Sequence, residues 1–262
     1  MPVELLYPLI GLATGLVAGL LGVGGGILTV PVLAGLFALQ GLAPAHTMHL
    51  AVATSLAVII FTAASSARSH HLRGAVLWPV ARRMVPGLIA GAVVGALLAD
   101  RASTTLLAQL FGVVSLLVAF QMFLNRQPPP ARNLPATPTL LGVSTAIGTL
   151  SAMIGIGGGS LTVPYLIWCN TPPAKAVGTS SAFGVPIAAF ATAGYIAAGW
   201  NNPALPEWTA GYVYLPALLG IGLISVLTAP LGARLAHGMP AATLKRCFAV
   251  FLTLVGLRML MA

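Results

Sequence analysis

Two glycine runs are the residues best placed to do chemistry in this chain. Gly22-Val23-Gly24-Gly25-Gly26-Ile27-Leu28-Thr29-Val30-Pro31 returns 133 positions later as Gly155-Ile156-Gly157-Gly158-Gly159-Ser160-Leu161-Thr162-Val163-Pro164. Each copy interrupts an apolar, helix-like stretch, where a glycine costs roughly 1 kcal/mol relative to alanine. Glycines that only let helices pack closely recur every fourth residue, as in Gly11/Gly15/Gly19 and Gly87/Gly91/Gly95. A contiguous triplet followed by T-V-P reads instead as a backbone break. At such a break the N-termini of the segments beginning at Ile27 and Ser160 would present unpaired N–H groups and positive dipole ends. Glycine lets a ligand approach that backbone closely. A small anion is the ligand this chemistry suits.

Hydroxyls recur beside both breaks. Ala51-Val52-Ala53-Thr54-Ser55 and Ala176-Val177-Gly178-Thr179-Ser180 open the apolar stretch that follows each run. The candidate substrate-binding set is therefore Gly24, Gly25, Gly26, Thr54, Ser55, Gly157, Gly158, Gly159, Thr179 and Ser180, with Ser181 as a further hydroxyl donor and Thr29 and Thr162 as weaker candidates. Hydroxyls in apolar helices also bond back to their own backbone, which is the competing structural use. His46 and His49 fall in a polar loop, where a histidine is ordinarily just solvated. No catalytic Ser/His/acid set, phosphate loop or metal-ligand spacing is present, and no cofactor is expected.

The elements that must position these residues are membrane helices. Of the 262 residues, 58% are hydrophobic and 6% charged, with mean hydropathy +0.99. Three acids, Glu4, Asp100 and Glu207, cannot solvate a soluble surface. The net charge of +9 is not organised into a basic stripe, so no nucleic-acid partner is expected. No basic region precedes the first apolar run, so no signal peptide is expected. Because no acid lies well inside a span, a carboxylate proton relay or a cation site is disfavoured.

Taken in order, 5–21 and 27–38 flank the first break, and spans follow at about 50–66, 85–99 and 104–124. Residues 67–84 are strongly basic. Residues 125–138, with four prolines before Pro138 and two arginines, form a linker that cannot span. The order then repeats: 139–154, the second break, 160–169, and spans to about 199, at 211–229 and at 246–261. Gly95 aligns with Gly232 and Phe111 with Phe248, so the duplication covers nearly the whole chain. The domains expected are 1–124, a first transmembrane repeat; 125–138, the linker; and 139–262, a second repeat.

Charge decides between two topologies. If each broken segment crosses the bilayer, basic residues divide seven to five between the two sides. If each is a re-entrant hairpin, Arg68, Arg73, Arg82, Arg83, Arg126, Arg132, Lys175, Arg234, Lys245 and Arg246 share one side. Only Arg101 and Arg258 then lie opposite. The positive-inside rule favours the second arrangement, with both termini outside and the linker in the cytoplasm. The fold expected is an all-α polytopic membrane protein of two inverted repeats. Each repeat is a glycine-broken re-entrant helical hairpin plus three transmembrane helices.

The motif G-x-G-G-G-x-L-x-V-P in each half, the A-x-x-T-S after each, and Arg73-Gly74-Ala75-Val76-Leu77-Trp78 resemble the sulfite exporter TauE/SafE (TSUP) family over the whole chain. Ala53 departs from the pattern where Gly178 keeps it. The resemblance implies a bacterial inner-membrane permease for small sulfur anions such as sulfite, thiosulfate or an organosulfonate. The anion would sit at the midplane between the two breaks, and access would alternate as one repeat rocks against the other. Proton coupling and a homo-oligomer are compatible with this reading. An anion channel using the same site is one alternative. A membrane subunit or enzyme of sulfur metabolism using Cys169 is the other.

Overall fold

The computed structural model describes residues 6–21, 25–124, 134–236 and 241–261, and within these leaves the side chains of 18–21, 230, 232–236, 241–245 and 247 undescribed. Gly24, most of the linker, His237 and the Cys247 side chain therefore lie outside the described residues. The described residues form ten α-helices: α1 (Leu6–Leu21), α2 (Gly26–Leu39), α3 (Thr47–Leu72), α4 (Trp78–Arg101), α5 (Thr104–Leu124), α6 (Thr137–Ile154), α7 (Gly159–Trp168), α8 (Pro173–Gly199), α9 (Leu215–Ala236) and α10 (Ala241–Leu260). A two-stranded antiparallel ribbon, β1 (Thr209–Ala210) and β2 (Val213–Tyr214), precedes α9. The chain is thus an all-α polytopic protein. Among the described residues five helices, α3, α4, α5, α6 and α8, are long and apolar enough to cross a membrane.

Several bounds differ from the sequence reading. The basic stretch 67–84, left outside the expected spans, is mostly helical, because α3 runs on to Leu72 and α4 starts at Trp78, leaving a short turn through Gly74. The alternation of Ala, Ser and Arg up to Leu72 contains no breaker, so a helix already formed has no reason to stop at the bilayer edge. Thr137 and Pro138, assigned to the linker, open α6, where Pro is tolerated in the first turn.

Helix packing follows the small-residue ridges. Gly87, Gly91 and Gly95 of α4 lie on α6, where a Cβ on Gly91 would stand 2.1 Å from the Thr145 carbonyl oxygen. Gly11 and Gly15 of α1 lie likewise on α9, against Ile221 and Ser225. Both contacts are parallel: Gly87 meets Leu141 and Gly95 meets Ala152, while Gly11 meets Ile221 and Gly15 meets Thr228. The other main contacts are α3 with α8, α5 with α10, α4 with α8, α3 with α9, α2 with α3, and α7 with α8. Exchanging α1–α5 with α6–α10 in order leaves this set unchanged. α3 and α8 run antiparallel, since Thr54 lies by Tyr214 beyond the end of α8 and Thr179 lies by Leu77 beyond the end of α3.

The bundle has two ends. At one, Tyr7, Asp100, Tyr212 and Tyr214 gather with His46 and His49. At the other are Arg68, Arg73, Arg82, Arg83 and Lys175, where Lys175 donates to the Gly74 carbonyl and Arg83 to that of Pro135 at 2.8 Å. α1 starts at the tyrosine end and α2 comes back to it, because Gln40 Nε2 donates to Tyr7 Oη at 3.4 Å and Phe37 packs edge-on to Tyr214. α6 starts at the arginine end beside Arg83, and α7 returns there to join α8.

Candidate functional site

The site is where these two returning chains turn. Gly25 precedes α2 with φ 70° and Gly158 precedes α7 with φ 78°, a left-handed backbone that glycine adopts without a Cβ penalty. Each carbonyl then closes the first turn: the Gly25 oxygen accepts Leu28 and Thr29 N–H, and the Gly158 oxygen accepts Leu161 and Thr162 N–H. Thr29 and Thr162 donate their hydroxyls to the same two oxygens, at 3.0 and 2.9 Å. Their hydroxyls are thus used within the turn, the structural alternative that the sequence left open. Neither helix has a side-chain N-cap. The first amides of a helix have no acceptor within it, and Gly26, Ile27 and Gly159, which open α2 and α7, are buried.

The two turns meet. A Cβ on Gly26 would lie 2.5 Å from the Gly155 carbonyl oxygen and 3.3 Å from Ser55 Oγ. Ser55 Oγ donates to that same carbonyl at 3.2 Å, so a residue of the first half closes the turn of the second. A Cβ on Gly157 would meet Ile59 at 2.7 Å, and one on Gly158 would meet Ile187 at 2.5 Å. Gly26, Ser55, Gly157 and Gly158 are therefore together, and Gly159 starts α7 beside them, buried. Ser180 is one step away, sharing a short hydrogen bond with Thr162.

Thr54 and Thr179 have a different placement from that expected. Thr54 Oγ1 accepts the Tyr214 N–H at 3.0 Å, and Thr179 Oγ1 accepts the Leu77 N–H at 2.9 Å. Tyr214 and Leu77 are the residues immediately before α9 and α4. Each threonine thus satisfies a backbone donor at a helix entrance, and both are fully buried in doing so.

Two features escaped the sequence reading. Ser151, fully buried near the end of α6, directs its hydroxyl toward the second turn. Its position in the first half is Ala18, so a search for what repeats passes over it. The other is the polar cluster at the tyrosine end. Tyr212 Oη donates to Asp100 Oδ1 at 3.0 Å, and its ring lies against His46 and His49. His49 Nε2 is 2.9 Å from the Ala99 carbonyl oxygen. Burial holds the Tyr212 phenol above its ordinary range; Asn202 opposes this and Asp100 adds to it. Asp100 and Tyr212 stand 112 positions apart, and nothing local to either pairs them.

Cys169 is a buried thiol at the C-terminal end of α7, away from the turns.

The profile of the family described as Sulfite exporter TauE/SafE matches residues 7–259. Among similar proteins, a probable membrane transporter protein of Haemophilus influenzae is 34% identical over 257 residues, covering 97% of each chain. One of Methanocaldococcus jannaschii is 27% identical over 264 residues, covering 98% of this chain and 96% of its own. The YunE probable membrane transporter protein of Bacillus subtilis is 29% identical over 191 residues, covering 65% and 70%. No solved structure matches the chain.

Proposed function

The chain belongs to the TauE/SafE family of membrane transporters and is not an enzyme; from that premise we propose that it carries a small sulfur oxyanion, of the sulfite, thiosulfate or sulfonate type, bound where the two glycine turns meet. The observation that carries this reading is that the two turns meet: Gly26, which starts α2, lies against the Gly155 carbonyl at the end of α6, and Gly26 and Gly157, two residues before α7, both lie against Ile59. Two helix N-termini and the neighbouring hydroxyls offer an anion hydrogen-bond donors without a cationic side chain. Gly25, Gly26, Ser55, Gly157, Gly158, Gly159 and Ser180 form the wall of this site, and Gly24, outside the described residues, is kept as a candidate from the sequence alone. Thr54 and Thr179 hold the helix entrances that position it.

The reading includes two inverted repeats, residues 1–124 and 139–262, each with a re-entrant hairpin. It is supported by the unchanged packing set on exchange of halves, by antiparallel α3 and α8, and by the return of each broken pair to its own end. Non-helical backbone at membrane depth is tolerated where protein buries it, and here the two turns bury each other. The described cations fit one orientation: Arg68, Arg73, Arg82, Arg83 and Lys175 gather at the end assigned to the cytoplasm, and Arg101 closes α4 at the other. The linker is then cytoplasmic and both termini are outside, in a bacterial inner membrane.

Uptake of labelled sulfite into proteoliposomes, competed by thiosulfate, sulfate and a small sulfonate, with and without a proton gradient, tests the proposal. Saturable flux blocked by one sulfur anion is expected. Flux that does not saturate would replace the carrier with a channel, and no flux from folded protein would remove the sulfur-anion assignment.

A further inference from the structure

The two turns have the same backbone but not the same polarity. Helix α6 contains a test of what a hydroxyl does there when nothing else needs it. Ser144, Thr145 and Thr149 all donate to the carbonyl four residues back, at 2.6, 2.9 and 2.9 Å. Ser151 does not. Its Oγ is fully buried and has no hydrogen-bond partner among the described residues. It lies 3.7 Å from where a Cβ on Gly158 would stand, next to the start of α7. Ser160, in the first turn of α7, likewise keeps a buried hydroxyl oxygen without a partner among the described residues. Leaving a buried hydroxyl without a hydrogen bond is costly, and the back-bond along the helix that Ser144, Thr145 and Thr149 make is not made by Ser151. In the first half the corresponding residues are Ala18 and Ile27, which have no donor at all.

We propose, resting on the anion-carrier reading above, that Ser151 is a substrate-binding residue. It donates its hydroxyl to one oxygen of the anion while the first amides of α7 bind another, and Ser160 stands beside them. The site is then built on the second turn. The first turn, through Gly26 and Ile59, closes over it as an apolar lid. The donors are hydroxyls and amides, which suits a small oxyanion with several acceptor oxygens better than a halide.

The experiment measures anion-dependent thermal stabilisation of purified protein in detergent, using sulfite, thiosulfate, sulfate, phosphate and chloride, for wild type, Ser151→Ala and Ser151→Cys. Ser151→Ala is expected to weaken the best oxyanion about tenfold or more, the loss of one hydrogen bond to a charged group. The melting temperature without anion should stay near that of wild type, because the hydroxyl has no protein partner to lose. Cysteine, similar in shape but a weak donor, should follow alanine. Wild-type affinity in both variants would overturn the proposal and leave the carrier reading intact. A fall in anion-free stability that accounts for the weaker binding would make Ser151 structural, and overturns it as well. If no oxyanion stabilises wild type, the site itself is refuted, together with the reading on which it rests.

Discussion

Gly26→Ala tests whether the two turns touch as described. The added methyl would lie 2.5 Å from both Ile59 Cδ1 and the Gly155 carbonyl oxygen. Ile59 can turn its terminal methyl away. The Gly155 oxygen belongs to a backbone held by Ser55 and by the end of α6, so the turns must separate by about 0.9 Å to restore ordinary contact. Gly26 is the first residue of α2, so little of the roughly 1 kcal/mol helix gain of alanine applies. Overpacking costs about 1–3 kcal/mol, and the net expectation is a loss in that range. Gly35→Ala, on the same helix, meets nothing within 4 Å and should stabilise by up to about 1 kcal/mol. Thermal unfolding and proteoliposome flux of both variants are the assay. Flux should fall at least tenfold in Gly26→Ala and stay near wild type in Gly35→Ala. A Gly26→Ala protein as stable and as active as wild type would refute the contact between turns.

Thr54→Val and Thr179→Val each remove the acceptor for a backbone N–H at a helix entrance, and each should lower stability by about 1–3 kcal/mol. Serine at either position should restore most of the loss, whereas a changed KM at unchanged stability would return these hydroxyls to the substrate. Tyr212, whose folded pKa is raised, contributes stability that is fully present below its unfolded value of about 10 and lost as pH rises through the folded value. Unfolding midpoints of wild type and Tyr212→Phe should therefore differ by a constant amount from pH 6 to 9 and converge only at higher pH. A cysteine introduced by Pro130→Cys, in a background lacking Cys169 and Cys247, should resist an impermeant maleimide in intact cells and react in inverted vesicles. Labelling in intact cells would reverse the proposed orientation.

Membrane class, the two breaks and the ridges on α1 and α4 were legible because each is a local property of the sequence. A glycine triplet in an apolar run, or glycines every fourth residue, needs no knowledge of the neighbour. The left-handed turns at Gly25 and Gly158 are read from that local signal. The roles of Thr54 and Thr179 were not legible. Their partners are backbone amides 160 and 102 positions away, and an amide carries no residue signature. Ser151 was hidden by the opposite effect: a reading built on repetition discards the position where the halves differ. Asp100 with Tyr212 was hidden because it forms only when the end of α4 meets the ribbon before α9.

The packing also decides which parts could move as units. Alternating access by rocking of residues 1–124 against 139–262 would have to separate α1 from α9 and α4 from α6. Those are the contacts where glycines put helix backbones closest together. Thr54 and Thr179 add to the difficulty, since each joins α3 or α8 to the entrance of a helix from the other half. The contacts instead group α1, α2, α3 and α9 on one side and α4, α6, α7 and α8 on the other, meeting at α3 with α8 and at the two turns. Each group holds one hairpin and takes helices from both halves. Spin labels at Leu12, Leu97 and Leu223, all exposed, distinguish the two cases. Leu12 and Leu97 share a half but not a group; Leu12 and Leu223 share a group but not a half. With and without a transported anion, the distance from Leu12 to Leu223 should hold and that from Leu12 to Leu97 should shift. The reverse pattern would mean that the halves move as the sequence divides them, and that the close backbone contacts between α1 and α9 open in every cycle.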